Sequence, residues 1–158
     1  HRLNRGIQIR SVQVQLSLLA PEPVLRGELA AVCKELGIEL LAYSPLALGV
    51  LAIPPGVQTS TSTMLRSRLF RRLLPASEDL RSAMVEIAAQ RSASMVQVAL
   101  NWCRAHGACP IPGLRRPSQA IDVAAALNWS LSATERQVLD QISQRTSARM
   151  PANPFQSA

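Results

Sequence analysis

The stretch from Ser11 to Tyr43 constrains this chain most. Ser11–Leu19 alternates, with Val12, Val14, Leu16 and Leu18 on one face and Gln13, Gln15 and Ser17 on the other. A strict period of two predicts a strand. Ala20-Pro21-Glu22-Pro23 interrupts it. Val24–Leu36 then carries Leu25, Leu29, Val32, Cys33 and Leu36 at helical spacing, and Gly37 ends the helix. Ile38–Tyr43 is a second, mostly apolar run that meets Ser44-Pro45. Strand, helix and strand within about 33 residues are the size of one right-handed βαβ unit, which makes the two strands parallel. Ligands of parallel α/β sheets sit just beyond the carboxyl ends of the strands. Ser44–Leu51 is therefore the first place to look for a site.

The design recurs. Ala108–Ile111 reads as a short strand, followed by Pro112-Gly113, the cations Arg115 and Arg116, and a helix over Pro117–Leu127 with proline in its first turn. Between the two units, Ser44–Pro75 is expected to be a long irregular connection. It holds Pro54-Pro55-Gly56, the run Thr59–Thr63 and a basic stretch, Arg66–Arg72. Connections of that length in a compact domain are usually functional. Ser77–Arg91 predicts a helix capped by Ser77, with Glu78 and Asp79 at its positive end and Leu80, Met84, Ile87 and Ala88 as its buried stripe. Ser94–Ala105 predicts another, burying Val98, Leu100, Trp102 and Cys103. Ser132 with Glu135 forms a capping box that starts a last helix, ending near Arg145. His1–Arg10 reads as the tail of a helix and a turn stopped by Gly6. Residues 148–158, with Pro151 and Pro154, read as an extended surface tail. The whole is three βα units in one domain.

With 158 residues, 47% of them apolar, the chain can bury a core. No apolar run approaches the ~18 residues that span a bilayer. Net charge is +7, and Lys34 is the only lysine among the 17 cations. Arginine forks suit phosphate and carboxylate, so the charge points to an anionic partner. Nucleic acid is disfavoured. Single-strand binders use aromatic platforms, whereas Tyr43, Phe70, Trp102, Trp129 and Phe155 are scattered and not interleaved with arginine. Cys33, Cys103 and Cys109 are odd in number and lack CxxC spacing, which argues against a disulfide framework or zinc site. They read as small apolar residues in a reducing compartment: the cytoplasm, or a plastid stroma in a plant.

Two readings of Ser44–Leu51 stand side by side. Its backbone N–H groups, eased by Gly49, suit a pyrophosphate; equally, it is an ordinary βα turn. Ile111–Pro117 is sharper. Gly113 permits close backbone approach, and Arg115 and Arg116 lie beside the positive end of a helix, where cations are unfavourable unless an anion joins them. Gln13 and Gln15 lie on a polar strand face, from which one amide could pair with a ligand carboxamide. Arg66, Arg68, Arg71 and Arg72 read as solvated, and His106, before Gly107, as a helix C-terminal cap. No Ser/His/Asp set, paired carboxylates or metal spacing stands out. The pattern holds a phosphorylated ligand and lacks proton-transfer machinery.

Five segments, QVQLSLL, ELGIELLAYSPLALGVL, RLFRRLLP, MVQVALNWC and IPGLRRPSQAIDVAAAL, resemble in order and spacing the aldo-keto reductases. The likeness is strongest to the chloroplast and cyanobacterial group, with its RxLFRxxLP stretch and an NPFQ-like ending, here Asn153–Gln156. The resemblance implies the C-terminal half of a TIM (β/α)8 barrel, about strands six to eight, and the cofactor NADP(H) with a small carbonyl substrate reduced by hydride transfer. On the family pattern Gln13 holds the nicotinamide carboxamide. Ser44, Leu46, Gly49 and Leu51 line the pyrophosphate. Gly113, Leu114, Arg115, Gln119 and Asp122 surround the adenosine 2′-phosphate and adenine, with Arg116 beside them. The chain departs from the pattern at Leu16, where a tyrosine usually stacks on nicotinamide, and at Asp122-Val123, where an acidic-Asn pair contacts adenine. The family's Asp, Tyr, Lys and His tetrad belongs to earlier strands, and Lys34 and Tyr43 fall on the wrong elements to replace it. The expectation is a fragment, inactive alone. The alternative is a non-catalytic NADP- or partner-binding half-barrel, with open sheet edges as a route to self-association.

Overall fold

A computed structural model describes residues 8–27, 29–57 and 64–151. Three strands, β1 (Ser11–Gln15), β2 (Glu39–Tyr43) and β3 (Ala108–Ile111), form a parallel sheet in the order β1-β2-β3. Val12 pairs with Leu40 and Leu40 with Ala108; Gln15 pairs with Tyr43 and Tyr43 with Ile111. That register puts Val12, Val14, Leu40, Ala42 and Ala108 on one face, where they join the hydrophobic core beneath the helices. The other face carries Gln13, Glu39, Cys109 and Ile111, all exposed, with Gln15, Leu41 and Tyr43 half-buried. Among the described residues, the sheet is covered on one side only.

β1 is shorter than the alternation predicts. Ser17 and Ala20 exchange backbone hydrogen bonds at 3.3 and 2.9 Å, and the Ser17 hydroxyl accepts from the Leu19 N–H. The chain turns into the core there, so Leu16, Leu18 and Leu19 are fully buried, and so is Ser17, which the period-two pattern assigns to the polar face. The expected helix over Val24–Leu36 is likewise two pieces, α1 (Glu22–Leu25) and α2 (Leu29–Glu35). Pro21 and Pro23 start the first piece, because proline is tolerated where helix N–H groups have no partner. Gly27 ends it, its N–H bonded to Glu22 O at 2.8 Å. Of the expected apolar stripe only Cys33 is fully buried; Val32 and Leu36 face outward.

The connection after β2 also departs from expectation. It is not irregular throughout: a 3-10 segment, Ala47–Ala52, follows the strand, and α3 (Met64–Ala76) holds the basic stretch as a helix. Phe70 and Leu73 anchor α3 in the core while Arg68, Arg71 and Arg72 face out. Pro75 lies in its last turn. The run Thr59–Thr63 is outside the described residues, as are Gly6 and Asn153–Gln156.

α4 (Glu78–Gln90) and α5 (Met95–Ala105) form as expected, with Leu80, Met84, Ile87 and Ala88 buried from the first and Val98, Leu100, Trp102 and Cys103 from the second. Ser94 caps α5, accepting from Gln97 N. Ser77 does not cap α4; its hydroxyl donates back to Leu73 O at 2.7 Å, closing the end of α3 instead. After β3 come α6 (Pro117–Ala125), a 3-10 turn at Ala126–Asn128, and α7 (Ala133–Arg145), which opens with the predicted Ser132/Glu135 capping box. Residues 148–151 lie against the body, with Met150 N bonded to Leu19 O and Arg149 paired with Glu22. His106 closes α5, as predicted, with its Nε2 2.9 Å from Asp140 Oδ1. No helix among the described residues is long and apolar enough to cross a membrane.

Candidate functional site

Parallel strands in register end on the same side, so the loops after β2 and β3 leave the sheet as neighbours. The first is unusually wound. Ser44, Ala47 and Leu48 have φ of 54, 48 and 56°, and Gly49 has φ 101°. A left-handed conformation costs a non-glycine residue free energy, and a cluster of such residues is held only where its surroundings over-determine it. Three of the four non-glycine residues of this kind among the described residues fall here, the fourth being Ser92.

Two things hold the loop. From within, Gly49 N and Leu51 N both donate to Leu46 O, at 2.8 and 3.3 Å, and Ala47 N to Ser44 O at 2.9 Å. From outside, Arg66 of α3 donates to Leu48 O at 2.9 Å, its guanidinium 5.0 Å from the Phe70 ring centroid. Arg66 is therefore not a solvated surface cation, as its basic surroundings suggest. A β-carbon on Gly49 would stand 3.0 Å from Arg66 Nη2, so the glycine serves both the φ value and the close approach. The sequence signal was the one-turn step from Arg66 to Phe70, which puts cation and ring on the same face of a helix once α3 is seen as one.

Arg81 fixes the exit of the loop. It is 3% exposed, and it donates to Ile53 O, Pro54 O and Leu74 O at 2.8, 2.9 and 2.7 Å and to the Ser77 hydroxyl at 3.3 Å. Burial lowers its pKa, and Glu78 opposes that shift. This buried cation joins the loop, the end of α3 and α4, and sequence reasoning passed over it.

The second loop, Pro112–Arg116, is open. Gly113, Leu114, Arg115 and Arg116 are exposed. Gln119 reaches back so that its Oε1 accepts from Arg115 N at 2.8 Å and Arg116 N at 3.0 Å. That is the glutamine half of a capping box; Arg116, standing at the N-cap, has no acceptor for the other half. Asp122, one turn further on, points to α5 and accepts from Ser94 and Gln97. Gln13 is exposed on the uncovered face of β1, and its neighbour Gln15 donates to Pro151 O. Ser44, Leu46, Gly49 and Leu51 thus belong to one strained loop, Gly113, Leu114, Arg115 and Arg116 to its neighbour, and Gln119 and Asp122 to α6 behind it. Cys33 and Cys103 are buried; burial pushes the Cys103 thiol up to about 12, and Cys109 is exposed on β3.

A parallel strand–helix array with two such loops at its carboxyl edge is a portion of a (β/α)8 barrel. The aldo/keto reductase family pattern matches residues 2–144, and the chain belongs to that family. It is 41% identical over 155 residues to the chloroplastic pyridoxal reductase of Arabidopsis thaliana, covering 97% of this chain and 41% of the plant protein. It is 30% identical over 138 residues to aldo-keto reductase AMT2 of Alternaria alternata, covering 87% of this chain and 37% of the fungal one. Among solved structures, an aldo-keto reductase from a deep-sea metagenome library matches with a TM-score of 0.66 at 17% identity, over 99% of this chain and 46% of that one. That of Bombyx mori in complex with NADP matches with a TM-score of 0.62 at 18% identity, over 88% and 38%. At such identities the structural likeness speaks for the fold. The chain spans about two-fifths of the length of the curated relatives it matches.

Proposed function

We propose that this chain is the cofactor-gripping part of an NADP(H)-dependent carbonyl reductase, and that alone it binds the dinucleotide without reducing a carbonyl. The observation that carries the reading is the strained Ser44–Gly49 loop, braced by Arg66 and set beside a second loop bearing Arg115 and Arg116. The donor set fits a dinucleotide phosphate: a wound backbone segment for the pyrophosphate and two exposed guanidiniums for a phosphate monoester. Leu46 and Leu51 would border the first, Gly113, Leu114 and Gln119 the adenosine end. Gln13, on the uncovered sheet face, would take the carboxamide. When bound, nicotinamide supplies the hydride; the residues here bind and orient it. The proton donor of such a reduction is in this reading supplied by the family's tetrad, for which Lys34 on α2 and Tyr43 at the end of β2 are not replacements.

NADPH and NADH titrations test the site. Arg115→Ala and Arg116→Ala are expected to weaken NADPH at least about tenfold, the scale of one lost charged hydrogen bond, and NADH little. Equal losses would refute the 2′-phosphate assignment. For turnover, pyridoxal is the first aldehyde to try, because the Arabidopsis relative is a pyridoxal reductase; steady NADPH consumption by the pure chain would overturn the claim of inactivity. Free thiols at Cys33, Cys103 and Cys109 support a reducing compartment, cytosol or plastid stroma.

A second reading, a non-catalytic half-barrel that pairs with another chain or with itself, is favoured by a different observation. Among the described residues the outer edges of β1 and β3 carry no neighbouring strand, and Ile111, Leu114, Ile121 and Leu127, between β3 and the turn after α6, are exposed. Unpaired edges and apolar patches invite association. Sedimentation equilibrium that finds a monomer at all concentrations would exclude it.

A further inference from the structure

We propose that Arg81 is a positioning residue for the cofactor, which keeps the pyrophosphate loop wound and ready without touching the nucleotide. This role rests on the NADP(H) reading above and concerns how that loop is prepared to bind.

Ser44, Ala47 and Leu48 all have positive φ, a conformation that a residue with a side chain disfavours. Left to itself the segment would relax, and part of a ligand's binding free energy would go into winding it again. Its bonds to Ser44 O and Leu46 O are local, and water can replace them. The long-range bonds come from two helices. Arg66, in the first turn of α3, donates to Leu48 O at the crest of the loop; Arg81, in the first turn of α4, donates to Ile53 O and Pro54 O at its exit. All three acceptors are carbonyl oxygens. Turned to guanidiniums, they are partial negative charges that no longer oppose a phosphate.

The two arginines act as one clamp. Arg81 Nη2 donates at 2.7 Å to Leu74 O, about two turns along α3 from Arg66, and Arg81 Nε donates to the Ser77 hydroxyl, which itself donates to Leu73 O. Arg81 therefore sets the end of α3, and α3 carries the Arg66 guanidinium to within 3.0 Å of where a β-carbon on Gly49 would stand. The grip is specific to arginine. A lysine ammonium is a compact point donor and cannot span Ile53, Pro54, Leu74 and Ser77 together. At 3% exposure, Arg81 is nearly sealed from solvent, so it acts on a nucleotide only through the loop.

Two measurements on the 158-residue chain decide it. In the first, NADPH, NADH and adenosine 2′-monophosphate, which carries the 2′-phosphate without the pyrophosphate, are titrated against the unsubstituted chain, Arg81→Met and Arg81→Lys. Arg81→Met is expected to weaken NADPH and NADH by the same factor, about tenfold or more, and Arg81→Lys by a smaller one, while adenosine 2′-monophosphate stays within about twofold for both. A variant that had only become less stable would lose all three ligands together. Unchanged NADPH affinity in both variants, or an equal loss of all three ligands, would overturn the proposal. Should Arg81→Met fail to fold, Arg81→Lys carries the same comparison. In the second, amide hydrogen exchange is followed without nucleotide. Arg81→Lys should accelerate exchange over Ala47–Ala52 and leave α7 unchanged; unchanged exchange over Ala47–Ala52 would overturn the clamp. If the unsubstituted chain binds none of the three ligands, the cofactor reading falls and the role in binding with it, and exchange still decides whether Arg81 holds the loop.

Discussion

A β-carbon at position 49 would meet two obstacles, a φ of 101° and the Arg66 guanidinium at 3.0 Å. Gly49→Ala should therefore destabilise the chain by about 1–2 kcal/mol in urea unfolding. Combining it with Arg66→Ala should recover the steric part only. Full recovery would mean that backbone strain at Gly49 contributes nothing. Glu135 gives a second residue-scale outcome. Its carboxylate accepts from Arg91 Nε and Nη2, at 2.8 and 2.7 Å, together with Ser132 N, and is held down to about 2 from 4.5. A folded pKa below the free value contributes stability above pH ~4.5 that drains away as pH falls toward ~2. Glu135→Gln should flatten the stability profile in that window and leave the neutral-to-basic limb's slope unchanged; an unaltered acid limb would contradict the assignment. The pair was half legible. Glu135 was visible as a capping-box residue, because that signal is local. Arg91 lies 44 positions away, and its contact with Glu135 exists only once α4 and α7 pack.

Among the elements, β2, β3, α5 and α7 with its Ser132 cap could be read directly, since their signals lie within a few residues; the cap of α5 at Ser94 was not, and the one expected at Ser77 does not form. Two failures share a cause. Proline at Pro21 and Pro23, and again at Pro75, was taken as punctuation. Yet the first turn of a helix tolerates proline, so α1 begins on Pro21 and Pro23, whereas α3 runs through Pro75 in its last turn. Arg81 is what makes that arrangement hold. It supplies donors to carbonyls on both sides of the α3–α4 junction and to the loop exit. Arg81→Met preserves bulk but removes the guanidinium donors to Ile53 O, Pro54 O and Leu74 O, the last two of which keep only longer bonds from Val57 N and Ser77, and about 2 kcal/mol or more of stability should be lost. Hydrogen exchange should then rise first in α3 and the Ala47–Ala52 segment. Uniform acceleration over the whole chain would show instead that Arg81 supports the core at large. An isolated arginine in an amphipathic helix gives no hint of this, because its partners are backbone atoms whose positions only the fold sets.

At the scale of the molecule, the parallel sheet with helices on one face was foreshadowed by the βαβ spacing, and the family by five segments in order. The candidate site was legible to the extent that strand ends and glycines mark it. Gly49, Gly113 and the Arg115-Arg116 pair stand out in the sequence, whereas the brace of Arg66 and the bonds from Ser94 and Gln97 to Asp122 depend on long-range packing. The uncovered face, with Gln13, Cys109 and Ile111, makes physical sense as the inside of a barrel whose remaining strands would cover it. The proposed function is a division of labour, in which this chain would grip the cofactor and the chemistry would need residues outside it. The most direct test is a fluorescence titration of NADPH against the purified 158-residue chain, continued after addition of pyridoxal. The account predicts saturable binding, tighter for NADPH than for NADH, with the nucleotide signal stable once the aldehyde is present. No saturable binding, or a steady loss of NADPH when pyridoxal is added, would contradict it.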